Sequence, residues 1–430
     1  MFRILFILQA IFFMNLLQAQ PKTDDLLVTI LENSGNELVK KVSGEPENYR
    51  LQIVYTRINR DADNNPEFKN FYFNYDPNLY FNPASMVKMP LAFLALEKIN
   101  RLGIKGLDKF SAMQFDSSYK GQKVLYTDNS AENGKPSIAH FIKRAFLISE
   151  NDPYNRLYQF VGQQEIKNNL NAKGYPDVRI TRQFMGFTEE GNRHTNPVRF
   201  LNPDGSLLYY QKGAYNPEPF DFSREIRLGK AHWNNNDSLI EGPFDFTKHN
   251  NLSLEDMQQM LQSVMFPASV PEFKRFELTD ADLQFIYQYL SQYPSETSYP
   301  KYDTSEFYDS YVKFFFRNKE GRMPSHVRVF NKVGWSYGFL TDVSYVADFK
   351  NNVEYMLSAT VYVNSDNVVN DGKYDYKEVG YPFLYELGQT IYQYELNRER
   401  KFKPDLSAFK IKYDKRDPND TRPSLKDVDN

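Results

Sequence analysis

A serine hydroxyl is a poor nucleophile until a neighbouring base takes its proton, and a lysine can do so when burial lowers its pKa. Ser85-Met86-Val87-Lys88 supplies such a pair, because side chains at i and i+3 share one face of a helix. With the serine in the first helical turn, free backbone N–H groups and the positive end of the helix dipole would be available to an oxyanion. The same spacing occurs at Ser117/Lys120, Ser298/Lys301, Ser310/Lys313 and Ser407/Lys410. Only Ser85 stands behind Asn82-Pro83 at the mouth of an apolar run of helical length. On spacing alone the pair also reads as a helix-start serine beside a lysine lying along the surface.

Two further segments carry suitable groups. Ser149-Glu150-Asn151 falls in a loop between two helical patterns, where Ser and Asn are also ordinary turn residues. A Ser-Asp-Asn at 365–367 follows the last strand-like run in a turn-like segment. Lys332-Val333-Gly334 ends a strand-like run that begins at His326. A lysine there can anchor an anionic substrate group, and the glycine lets substrate backbone come close; a solvated edge lysine is the plainer reading.

The elements that must position these groups follow from period and punctuation. Thr23 is placed to cap a helix carrying Leu26, Leu27, Ile30 and Leu31. Alternation at Leu51–Thr56 and Phe71–Tyr75 predicts a hairpin. Residues 86–99 are apolar nearly all round, the mark of a buried helix. Pro90 sets a condition on it: a helix starting near Ser85 is kinked there, and the alternative is a later start. Helices are expected from Ser137, Asp152-Pro153, Ser253 and Thr279, and a last one from Pro382. Strands are expected at 326–332, 341–349 and 355–363. Between about 176 and 250 no period is sustained, which suggests a long functional loop or an insertion. Residues 401–430 read as a charged tail with little core of its own. The expected fold is mixed α/β (α+β) in two lobes: an antiparallel sheet built from both chain ends, flanked by terminal helices, with an all-helical lobe inserted.

The chain has 430 residues, 41% apolar and 16% aromatic, with a formal net charge of −3. That balance argues against a nucleic-acid binder, which wants a basic face. There is no cysteine, which excludes disulfides, a thiol nucleophile and Cys-ligated metals. Five scattered histidines without an i, i+4 pair give a metal site no support, and no cofactor is implied. Arg3, the apolar Ile4–Leu17 run and Ala19 read as a secretory signal over residues 1–19. The expectation is a periplasmic or secreted protein with no stable membrane span once the signal is removed.

Together the three segments resemble the Ser-x-x-Lys, Ser-Asp-Asn and Lys-Thr-Gly set of class A β-lactamases and penicillin-binding proteins, in the same order and on the same kinds of element. Asn251–Met257 is similar to the family's segment opening a helix after the omega loop. The resemblance spans about 24–400. It implies one catalytic domain over 20–400, with an α/β lobe of 20–80 and 320–400 and a helical lobe of 81–319 containing the enlarged loop at about 176–250. It implies that Ser85 forms an acyl-enzyme on an amide substrate, small molecule or peptide, with Lys88 accepting its proton. Ser149 would relay a proton to the leaving nitrogen, Asn151 would hold a substrate amide, and Lys332 would supply positive potential. The backbone N–H groups of Ser85 and Trp335 would form the oxyanion hole. The sequence departs from the family at Glu150, Val333 and Trp335, with Ser336 a substitute, out of register, for the hydroxyl lost at Val333. Glu189 and Glu190 are the carboxylates nearest the position expected to activate the deacylating water. A peptidase or esterase on the same scaffold, a protein that acylates but barely turns over, and a non-catalytic extracellular binding protein are the other readings; the oligomeric state is left open.

Overall fold

The computed structural model describes residues 20–184 and 186–428, so the expected signal at 1–19 lies outside the described residues. The main sheet is antiparallel and five-stranded, in the spatial order Val327–Ser336, Phe339–Asp348, Val353–Tyr362, Gln52–Arg60, Pro66–Phe73. The register Ile53↔Ala359 and Ile53↔Phe73 joins the N-terminal hairpin to the C-terminal meander. The sheet is thus assembled from both ends of the chain.

Both of its faces are covered. The helices Asp25–Glu32, Glu37–Gly44 and Tyr381–Asn397 lie over one face, on a core that includes Ile53, Val329, Val333, Leu340 and Leu357. Val54, Phe330, Val343, Tyr345 and Met356 face the other way, into the core of the inserted lobe. Period-two alternation therefore sends neighbouring residues into two different cores. The polar members of the alternation are buried as well: Asp342 accepts from the backbone N–H of Phe314 at 2.9 Å and from Asn331 at 2.8 Å.

The inserted lobe is built around Lys88–Leu102, which is buried along most of its length. A four-residue 3-10 turn, Ala84–Val87, precedes it. The α-helix proper begins at Lys88, so Pro90 falls in the first turn, where its missing N–H has no intrahelical partner to lose. The later start is the one adopted. Ser137, Ser253 and Thr279 cap their helices as expected, each accepting a backbone N–H. Thr23 does not: Asp24 stands at the N-cap, and the Thr23 hydroxyl instead accepts from the backbone N–H of Asn74.

One expectation is corrected: the inserted lobe is not all-helical. The 176–250 region, expected as a functional loop or an insertion, carries short strands of its own. Val198–Leu201 pairs with Ala112–Phe115 and Leu207–Gln211; Ala231–Trp233 pairs with Leu239–Glu241 and with Val368–Val369; Arg227–Leu228 pairs with Phe244–Asp245. Strands of two to five residues are too short to show a period in sequence. The 401–430 segment also docks. Leu406 and Phe409 are buried in the lobe core, where the Phe409 ring meets those of Phe266, Tyr287, Phe330 and Tyr345.

Candidate active site

The turn that carries Ser85 is fixed from two sides. Asn82 Oδ1 accepts from the backbone N–H of Ala84 at 2.9 Å, and Ala84 takes a left-handed φ of 43°. Across from it, Gly334 brings the sheet edge in: a Cβ there would sit 2.3 Å from the Pro83 carbonyl oxygen and 2.9 Å from Met86 Cγ. Only a glycine permits this approach. Gly334 thus makes room for the Ser85 turn.

Lys88 has no exposed surface. Its Nζ lies 2.8 Å from Ser85 Oγ, 2.9 Å from Asn151 Oδ1 and 3.3 Å from Ser149 Oγ, and it is hydrogen-bonded to the Ser149 carbonyl oxygen. Burial first, and then the positive charge of Lys332, push the Lys88 amine well below the usual lysine range, with Glu150 opposing. The partner set suits a neutral amine. Two carbonyl oxygens, of Ser149 and Asn151, can take its two N–H bonds, which leaves the lone pair for the Ser85 O–H. The 2.8 Å separation is within proton-transfer reach.

Ser149 presents its carbonyl to Lys88 because its backbone is left-handed, φ 73°, an uncommon state for a residue with a side chain. The neighbouring Glu150 holds that turn from behind. Its carboxylate accepts from Arg144 Nε at 3.0 Å, from Arg144 Nη2 at 2.5 Å, and from the hydroxyl of Tyr302. Arg144 in turn reaches Asp128 at 2.8 Å. Glu150 is therefore part of a buried ion-pair network that anchors Ser149 and Asn151.

Lys332, on the Val327–Ser336 strand, donates to Ser149 Oγ at 2.8 Å and to the Val333 carbonyl at 2.9 Å. Burial lowers its ammonium to about 7, against the pull of Asp342 and with the push of Lys313. Val333, one residue on, points into the opposite core. Ser85, Lys88, Ser149, Asn151 and Lys332, drawn from three distant segments, thus form one connected cluster.

The cluster opens on a cleft of about 230 Å³. Ser85, Asn151, Trp335 and Ser336 line it, as do four residues that sequence reasoning did not single out as site residues: Arg182, Phe184, His249 and Tyr337. Lys88, Ser149 and Lys332 form its buried floor. Tyr337, like Ala84 and Ser149, has a positive φ, so backbone strain gathers at this site. Glu189 and Glu190 are not in the cleft. Each has a side chain 54% exposed, Glu189 paired with Lys248 at 2.7 Å and Glu190 with His194 at 3.2 Å. Phe184 lies over the lysine in their stead, its ring stacked on Tyr154 and its centroid 5.2 Å from Lys88 Nζ. Among the described residues no carboxylate lines the cleft.

With this geometry in place, the comparison with known families is decisive. Residues 39–394 match the model of the β-lactamase enzyme family. The chain belongs to that family. It is accordingly a serine hydrolase. Solved structures similar to it include a β-lactamase from Sphaerobacter thermophilus, 11% identical, covering 82% of this chain and 94% of that one with a TM-score of 0.45. A β-lactamase from Francisella tularensis is 12% identical, covering 83% and 100%, TM-score 0.47. One from Burkholderia ambifaria is 11% identical, covering 85% and 100%, TM-score 0.45. No curated protein matches the chain by sequence. Within this β-lactamase-family chain, the match ends before the docked segment 401–430.

Proposed function

We propose that the protein is an exported acyl-transferring hydrolase that opens a small amide, of the β-lactam kind or related to it, through an acyl-enzyme on Ser85. Lys88 takes the hydroxyl proton as Ser85 Oγ bonds to the carbonyl carbon. The proton passes through Ser149 Oγ to the leaving nitrogen as the C–N bond breaks. Lys332 keeps positive charge beside Ser149, and Asn151 holds the substrate amide. Backbone N–H groups of Ser85 and Trp335 stabilise the oxyanion, and water then cleaves the ester. The observation that carries this reading is the buried Lys88 amine, 2.8 Å from Ser85 Oγ and hydrogen-bonded to the Ser149 and Asn151 carbonyl oxygens. The apolar leader at 1–19 supports export, and secreted protein beginning near Gln20 is the expected product.

The test is covalent labelling. Incubation with a fluorescent penicillin and with a fluorophosphonate should add one label at Ser85, located by peptide mass spectrometry, and Ser85→Ala should take none. Folded protein that accepts neither label would sink the proposal and favour a binding protein. A second reading concerns turnover. Because no carboxylate lines the cleft among the described residues, a chromogenic cephalosporin should give a stoichiometric burst followed by a slow phase. Fast steady turnover with no burst would favour an efficient β-lactamase.

A further inference from the structure

Among the described residues lining the cleft, one side chain carries a permanent charge. Arg182 lines the opening beside Ser85, and its backbone is tightly held: its N–H donates to Asn250 Oδ1 at 3.2 Å and its carbonyl accepts from the Tyr154 hydroxyl at 2.8 Å. Its guanidinium, by contrast, has no carboxylate or hydrogen-bond partner among the described residues. Arg144, behind the Ser149 corner, is engaged by Asp128 and Glu150. Arg182 also borders a second cavity of about 150 Å³ that contains Glu189, but that carboxylate is taken by Lys248 at 2.7 Å.

The groups facing Arg182 do not neutralise it. Tyr80, Tyr154 and Tyr337 lie within reach of its charge, and all three phenols are raised by burial and stay protonated. His249, pushed down to about 3 by burial and then by Arg182 itself, is a neutral imidazole. A guanidinium in such a pocket is a fork of donors suited to a planar carboxylate. Ser149 and Lys332 mark the leaving-group side of the reaction, while Arg182 belongs to a separate cluster with Tyr80, His249 and Tyr337. On the proposed function, an anion bound at Arg182 is assigned to the acyl half of the substrate.

We infer that Arg182 is a specificity-determining residue that selects substrates bearing a carboxylate on the acyl group, with Phe184, Trp335 and Tyr337 offering apolar wall to the part between that carboxylate and the reacting carbonyl. This rests on the acyl-transfer reading, and the experiment separates the two. Nitrophenyl esters of para-carboxyphenylacetic acid and of its neutral para-carbamoyl analogue differ only in charge. The carboxylate ester should have the higher kcat/KM by roughly tenfold or more, carried by KM. In Arg182→Gln that ratio should collapse towards one, and Arg182→Lys should restore part of it. General damage to the fold lowers both esters together and leaves the ratio standing, which would overturn the inference, as would equal use of the two esters by the unmodified protein. Should neither ester turn over above the Ser85→Ala background, the acyl-transfer reading fails by itself. Binding then decides Arg182: calorimetry with para-carboxyphenylacetate should detect binding to Ser85→Ala and a loss of roughly tenfold or more in the Ser85→Ala/Arg182→Gln double variant. Equal binding by the two would overturn the inference.

Discussion

The floor and the rim of the cleft are built on opposite principles. On the floor, Lys88, Ser149 and Lys332 are buried and hydrogen-bonded to one another, and Glu150 behind them is locked by Arg144 and Tyr302. On the rim, Arg182, Phe184, His249, Trp335 and Tyr337 present a guanidinium and aromatic surface to an open cavity. A buried polar network is costly unless every member is satisfied, so the floor tolerates few substitutions and fixes one geometry. Among the described residues the Arg182 guanidinium on the rim is held by no such network. On the proposed function, the chemical step belongs to the floor and selectivity to the rim.

Removing the base should strain this contrast most. Lys88→Met keeps the length and the apolar stem but has no lone pair on nitrogen, and the rate of Ser85 labelling should fall about a thousandfold, the scale of a lost general base. A labelling rate within a few-fold of the parent protein would place the proton elsewhere. Next in size is Glu150→Gln. It leaves the buried Arg144 with Asp128 as its remaining carboxylate and should cost about 3 kcal/mol in denaturant unfolding, towards the lower end for a broken buried pair. A comparable substitution on the rim, His249→Ala, should move unfolding much less while changing KM. Equal costs at the two positions would erase the distinction.

The pH profile sharpens the comparison within the floor itself. Lys88 must be neutral to accept a proton, and its lowered pKa supplies that form, so labelling should rise with pH and then level off. Lys332 must be charged, and it discharges at about 7, so kcat/KM should then fall by about tenfold per pH unit as a single group titrates. Lys332→Arg, permanently charged, should flatten the alkaline limb and leave the acid limb in place. Stability runs in the other direction. Between about 7 and the ordinary lysine value of 10.5 the unfolded chain keeps a proton that folded Lys332 has released, so unfolding free energy should rise with pH across that window.

Much of the floor was legible in sequence because its spacings are local. Ser85 and Lys88 are one helical turn apart, Ser149 and Asn151 sit in a helix–helix corner, and Lys332 lies on a strand with a clear period. The sheet followed from alternation, and helices of the inserted lobe from capping at residues such as Ser137, Ser253 and Thr279. The rest depends on contacts that no local pattern encodes. Arg182 and His249 are single polar residues in a segment whose strands are too short to set a period. Glu189 and Glu190 are the nearest carboxylates by count along a lengthened loop, and in space they pair with Lys248 and His194 outside the cleft. Asp342 and Ser344 look like the wet side of a strand, yet helices cover both faces of the sheet. Leu406 and Phe409 are isolated among charges and become core only where the lobe receives them.

That docked segment bears on the smallest of the expected effects. Leu425 donates its N–H to the Lys301 carbonyl at 2.8 Å and accepts the Asp303 N–H at 3.0 Å, clasping Tyr302 between the two contacts. Lys301 Nζ adds bonds to the carbonyls of Asp420 and Arg422. The Tyr302 hydroxyl then reaches Glu150, so a stretch lying outside the family match braces the corner that carries Ser149. Tyr302→Phe keeps the ring against Phe307 and deletes only the donor. Glu150 retains both guanidinium bonds, and the cost should be about 1 kcal/mol, the usual net worth of one hydrogen bond. Ser85 labelling should slow only a few-fold. The decisive measurement is the double variant with Glu150→Gln: if Tyr302 acts through Glu150, the two losses in unfolding free energy should sum to less than their separate values. Strict additivity would show that the brace ends at the ring and that the floor is held by Arg144 without help from the docked segment.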